Sequence, residues 1–317
     1  MTLQMSTTPA PLFTDVCPGP ESGAAYWATT SDGVRIRLGV WTKDNARGTV
    51  LLFPGRTEYI EKYGPAAADL ADRGYATIAI DWRGQGLADR LLDEPRTGHI
   101  VDFLDYQTDI AAMLAMAADL DLPKPYYLLA HSMGGAIGLR ALMEGLDVKA
   151  AAFTGPMWGI RIAPHMRPLA WLMGRIMPAI GRGHDLPPTL KLDPYVTSEP
   201  FDDNMLTTDP EMYRYMQAQL AAHPEFALAG PSLNWLFQAM CECCSLKRTA
   251  SPQVPTLTYL GSNERVVDDR PIRARMPDWP NGVLHEISGA EHEILMEIPA
   301  TRDRAHAEIA AHFDAHT

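Results

Sequence analysis

Ser132 is the residue of this chain best placed to act as a nucleophile. It closes the apolar run Leu128-Leu129-Ala130-His131 and is followed by Met133-Gly134-Gly135, where a helical stretch over 136–144 begins. A serine on a tight strand-to-helix turn, flanked by small residues, holds its hydroxyl clear of the strand. The usual pattern has glycine two places before the serine, and Ala130 fills that place with the next smallest side chain. Such a hydroxyl attacks a carbonyl only when a base takes its proton and a carboxylate holds that base in one tautomer. Downstream, the strand-like run Pro255-Thr256-Leu257-Thr258-Tyr259-Leu260 ends in Gly261-Ser262-Asn263-Glu264-Arg265, and a second run over 283–287 ends in Ser288-Gly289-Ala290-Glu291-His292-Glu293. Both groups sit past the carboxyl end of a strand, where catalytic residues collect in open α/β sheets. The order Ser132, Glu264, His292 is a recurring triad order, and its chemistry is acyl transfer through a covalent ester.

The other histidines fit the role of base less well. His285 lies inside its strand and reads as packed. His131 adjoins Ser132, but neighbouring side chains diverge, so it reads as packing or as support for the site. His99 reads as structural, His165, His184 and His223 fall in an inserted region, and His306, His312 and His316 read as solvent-facing. For the acid, Asp268 is the alternative to Glu264, although Asp268 and Asp269 precede Arg270-Pro271 and suit the N-terminus of a helix over 272–276. The plain reading of Glu264 is a surface ion pair with Arg265. An oxyanion needs two backbone N–H donors. Met133, after the nucleophile, supplies one. The turn Pro54-Gly55-Arg56-Thr57-Glu58-Tyr59, after the apolar run Val50-Leu51-Leu52-Phe53, supplies the other from Arg56.

The elements that must position these groups alternate. Residues 24–28 and 34–41, around Ser31-Asp32-Gly33, read as a hairpin. Strands over 50–53, 76–80, 125–131 and 148–153 alternate with helices over 60–73 and 103–120, and alternation resumes from Pro255, which predicts a mostly parallel sheet covered by helices. Residues 1–23 read as a tail. The core is 24–156 and 252–317, and 157–251 is an inserted cap. Gly84-Gln85-Gly86 lacks the third glycine of a dinucleotide fingerprint, and an active-site-edge loop is the better reading.

Eight of the 16 methionines lie in the insertion, a composition suited either to an irregular cavity for an acyl chain or to the insertion's own core. Trp158, Trp171 and Met173 are its expected substrate contacts. The stretch 168–177 is apolar around most of its circumference, so a helix there must bury more than one face. Arg161, Arg167, Arg175 and Arg182 surround it against Asp185 alone, so packing on the core and contact with an anionic lipid surface both remain open.

Net charge is −12, which argues against a nucleic-acid partner. The first twenty residues show no secretory pattern, and no run approaches the roughly 20 apolar residues of a membrane span. Cys17, Cys241, Cys243 and Cys244 have no zinc spacing and read as small buried residues of a reducing cytoplasm.

With these residues in hand, the chain resembles the α/β-hydrolase superfamily, and within it the serine aminopeptidase S33 type of hydrolase that includes bacterial lysophospholipases and monoacylglycerol lipases. The segments Phe53-Pro-Gly-Arg-Thr-Glu-Tyr-Ile-Glu-Lys-Tyr63, Ile80-Asp-Trp-Arg-Gly-Gln-Gly-Leu87, His131-Ser-Met-Gly-Gly135, Gly261-Ser-Asn-Glu-Arg265 and Gly289-Ala-Glu-His292 carry the resemblance. Pro54 stands where the family has histidine, and Glu264 where it usually has aspartate. The resemblance implies a monoacyl lipid ester as substrate, no metal or organic cofactor, and a cap that selects the ester. A related hydrolase of thioesters, peptides or non-lipid esters, and a non-catalytic binder of the same fold, are the other readings.

Overall fold

The computed structural model describes residues 8–188, 190 and 192–317. Among them, nine strands form one sheet: β1 (Thr8–Ala10), β2 (Gly23–Thr29), β3 (Arg35–Trp41), β4 (Thr49–Phe53), β5 (Ala76–Asp81), β6 (Tyr126–His131), β7 (Ala151–Thr154), β8 (Thr256–Gly261) and β9 (Gly282–Ile287). Their order is β1-β2-β3-β5-β4-β6-β7-β8-β9. β1 to β3 are antiparallel and β3 joins β5 antiparallel, while every pairing from β5 through to β9 is parallel. The carboxyl ends of β4, β6, β8 and β9 therefore open on one edge.

Helices fill the connections. α1 (Gly64–Asp72) follows β4, α2 (Asp105–Asp119) follows β5 and α3 (Ser132–Met143) follows β6. Between β7 and β8 lie α4 (Arg167–Ala179), α5 (Tyr195–Ser198), α6 (Pro210–Ala222) and α7 (Leu233–Arg248). α8 (Arg270–Arg275) follows β8 and α9 (Pro299–Asp314) follows β9. Strands β4, β5, β7 and β8 are buried along their whole length, as sheets covered on both faces require. Alternation divides the core. Val50 and Leu52 face α1 and α9, whereas Leu51 and Phe53 face α2 and α3.

Four expectations fail here. The supposed tail contains β1, paired Thr8 to Trp27 and Ala10 to Ala25, and beyond it the Phe13 ring stacks on His223 at 3.9 Å. His306 is buried against α1 rather than facing solvent, because the side of α9 that carries it also carries Ala305, Ile309 and Ala310. Cys244 is exposed, since α7 turns Cys243 inward and its neighbour outward. Within α4 only Gly174 is fully buried. α4 packs on α7 by one face, with Gly174 and Trp171 against Phe237, and leaves Leu172 57% and Ile176 46% exposed.

Candidate active site

α3 begins at the serine itself. Ser132 has φ +50°, an uncommon backbone conformation for a non-glycine residue and one expected of a strained turn. A Cβ on Gly134 would lie 2.1 Å from the Phe53 carbonyl oxygen, so the first turn of α3 can rest on the end of β4 only with glycine there.

The loop after β9 brings His292 over this turn. Its Nε2 is 2.9 Å from Ser132 Oγ, and its Nδ1 is 2.6 Å from Glu264 Oε2. The other Glu264 oxygen accepts the N–H groups of Val266 and Val267, at 2.7 and 2.9 Å. Burial works against the Glu264 charge, yet His292 and these N–H donors hold its carboxyl below the usual carboxylate range. Asp268, the alternative acid, is paired with Arg167 and Arg270 instead, at 2.9 and 2.7 Å. Arg265, the expected surface partner of Glu264, reaches Asp203 at 2.7 Å.

The turn after β4 lies against the nucleophile, where a Cβ on Gly55 would meet Ser132 Cβ at 3.0 Å. Its carbonyls are held from the loop after β5: Trp82 Nε1 donates to Pro54 O at 2.9 Å, and Gln85 Nε2 to Gly55 O at 2.8 Å. That loop is anchored in turn by the buried Arg37, which binds Asp81 and Glu61 at 2.7 Å each. Among the described residues, neither the Arg56 nor the Met133 N–H has a hydrogen-bond acceptor. Two free donors beside a serine hydroxyl are what an oxyanion requires.

Charged side chains outside the expected triad, and His131, complete the surroundings. Glu58 accepts the Gly55 N–H and the Tyr63 hydroxyl, and Lys62 bridges Glu58 and Glu293 at 2.6 and 2.7 Å. His131 Nε2 faces Glu293 at 3.3 Å, while its Nδ1 lies 2.9 Å from Thr154 O. Glu58 and Lys62 stand four apart in sequence, and Glu293 directly follows His292. That adjacency was the signal available.

Ser132 is 8% exposed, and the chain between β7 and β8 hydrogen-bonds to the segments around it. The Met157 N–H donates to Ser132 O at 2.8 Å, Glu293 N–H to Leu206 O at 2.8 Å, and the Arg56 side chain to Ala229 O at 2.6 Å. Trp158 is buried, its indole N–H on Gly135 O at 3.1 Å and its ring stacked on Trp279. Trp158 and Trp171 line a cavity of about 390 Å³ with Met240, Cys243 and Lys247; neither the triad nor Met173 lines it.

This sheet, with its serine turn after the central β6, defines an α/β-hydrolase. The family model described as "Serine aminopeptidase, S33" matches residues 44–299. Lysophospholipase L2 of Escherichia coli (strain K12) is 32% identical over 304 residues, 91% of this chain and 86% of the relative. Probable lysophospholipase L2 of Haemophilus influenzae is 26% identical, covering 79% of each chain. Among solved structures, a soluble variant of monoglyceride lipase from Saccharomyces cerevisiae superimposes with a TM-score of 0.71 at 20% identity, covering 97% of this chain and 99% of that one. The chain belongs to the serine aminopeptidase S33 family and is an ester hydrolase resembling the lysophospholipases.

Proposed function

We propose that this protein cleaves the ester of a monoacyl lipid, a lysophospholipid or a monoacylglycerol, and releases a fatty acid. Ser132 Oγ attacks the ester carbonyl as His292 Nε2 takes its proton, and Glu264 holds the imidazole in the required tautomer. The tetrahedral oxyanion is received by the Arg56 and Met133 N–H groups. Its collapse expels the alcohol, protonated by His292, and leaves an acyl-serine. Water, deprotonated by His292, then attacks the acyl group and releases the fatty acid. The observation that carries this reading is the unbroken relay Ser132–His292–Glu264, at 2.9 and 2.6 Å. The 32% identity to lysophospholipase L2 over most of both chains supports the lipid ester as substrate class.

Residues 157–251 act as the cap in this reading, and α4 is its point of contact with an anionic lipid surface. No helix among the described residues is long and apolar enough to cross a membrane. Four free thiols favour the cytoplasm as compartment.

Ser132→Ala and His292→Ala should each abolish ester cleavage while leaving the circular dichroism spectrum unchanged. A fluorophosphonate probe should label Ser132 in the parent protein, and unaltered turnover in either variant would remove the mechanism. Lysophosphatidylcholine and monoacylglycerol, run beside a chain-length series of aryl esters, test the substrate class. Preference for short aryl esters would exclude the lipid assignment.

A further inference from the structure

Glu58, Lys62, His131 and Glu293 form a cluster of four ionisable side chains, each no more than 6% exposed. A buried ion cluster is weak evidence for stability, because apolar packing of the same volume often serves as well. Its position is more informative. Glu58 takes the N–H of Gly55, the residue before Arg56. His131 precedes Ser132, and Glu293 follows His292. Each of these contacts is one covalent step from a group the proposed mechanism uses.

Glu58, His131 and Glu293 also offer ligand atoms within 4.8 Å of one another, a grouping able to hold a metal ion. The Lys62 ammonium, however, already sits 2.6 Å from Glu58 and 2.7 Å from Glu293, so the cation between these carboxylates belongs to the chain itself. Burial opposes the Glu293 charge, but His131 and Lys62 hold its carboxyl well below the usual range. The same carboxylates raise His131 above the ordinary imidazole value, against the effect of burial. His131 Nδ1 faces a carbonyl and its Nε2 faces carboxylates, an arrangement that suits the doubly protonated ring.

We propose that Glu58 and Glu293, joined through Lys62, are positioning residues that lock the Gly55–Arg56 turn to the loop carrying His292, so that oxyanion donor and base keep their spacing during turnover. The proposal rests on the triad reading above. With Glu58 fixed on the Gly55 N–H, the next peptide is left with its own N–H unpaired beside Ser132. With Lys62 on both carboxylates, the turn and the base cannot drift apart without separating buried charges.

Glu58→Gln and Glu293→Gln test it, being close in shape and neutral. Burst titration with an aryl ester counts competent sites, and kcat is then taken per titrated site. Misplacement of a donor or base by about 1 Å costs on the order of 100-fold, so kcat per site should fall about 10- to 100-fold with KM within about threefold. Fluorophosphonate labelling should slow in parallel. A purely structural role would lower the melting temperature and the fraction of competent sites, yet leave kcat per site unchanged. That result in both variants would overturn the proposal. If instead the parent protein is not labelled, or Ser132→Ala retains turnover, the triad reading itself falls.

Discussion

At the scale of single residues, Glu264 gives the sharpest test of the proposed activation of Ser132. Glu264 spends one oxygen on His292 and the other on two backbone N–H groups. Glu264→Gln keeps those shapes but removes the charge and permits the wrong imidazole tautomer. By the behaviour of acid-to-amide changes in other triads, kcat should fall about 10³- to 10⁴-fold. A decrease under tenfold would mean that His292 is oriented by something else. The meeting of Ser132, His292 and Glu264 was legible in sequence because each lies past the carboxyl end of a strand-like run, in an order that limits the choices. The bridge from Glu58 through Lys62 to Glu293 was not legible. Lys62 and Glu293 stand 231 positions apart, and neither the Glu58–Lys62 spacing nor the adjacency of Glu293 to His292 says that the two segments meet.

At the scale of elements, strands β4 to β7 were readable because they are largely apolar runs between turn residues, and β8 and β9 because apolar residues alternate or mix with polar ones over a short run bounded by turns. β1 was missed since three residues paired at a sheet edge leave no periodic signal. The sequence of α4 asks for more than one buried face, but α7, the helix packed against it, covers one. What remains outside is Leu169, Trp171, Leu172, Ile176 and, just past the helix, Ile180, with Arg167, Arg175 and Arg182 nearby. On a chain of net charge −12, attraction to an anionic surface must come from a local patch of this kind. The protein should float with anionic phospholipid vesicles at low salt, and the triple change Leu172→Ser, Ile176→Ser, Ile180→Ser should abolish flotation. Substitutions at exposed positions usually change stability by less than about 0.5 kcal/mol, so unfolding is not the expected cause. Equal flotation of the two proteins would discard the lipid contact.

At the scale of the whole molecule, α9 ties the last connection of the sheet to α1 and brings a titrating group inside. Neither ring nitrogen of His306 has a hydrogen-bond partner among the described residues, and burial lowers its pKa from 6.5 to about 4, against the pull of Asp69 at 3.8 Å. In the unfolded chain this imidazole takes its proton near 6.5; in the folded protein it does so only near 4. The unfolded state therefore binds more protons across that interval. The stability due to the neutral ring is complete above the upper value and is lost as pH falls toward the lower one, by about 3 kcal/mol in all. Urea unfolding at pH 7.5, 6 and 5 should show this slope, and His306→Leu should flatten it; parallel slopes would count against a buried neutral ring.

The Arg56 side chain leaves the turn that lies against Ser132 and ends on the Ala229 carbonyl, in the chain between β7 and β8. Any movement of Ala229 away from the turn must break that bond or drag the turn along with it. In the proposed mechanism this guanidinium couples the oxyanion turn to the segment between β7 and β8, beside the second tie that Leu206 makes to Glu293.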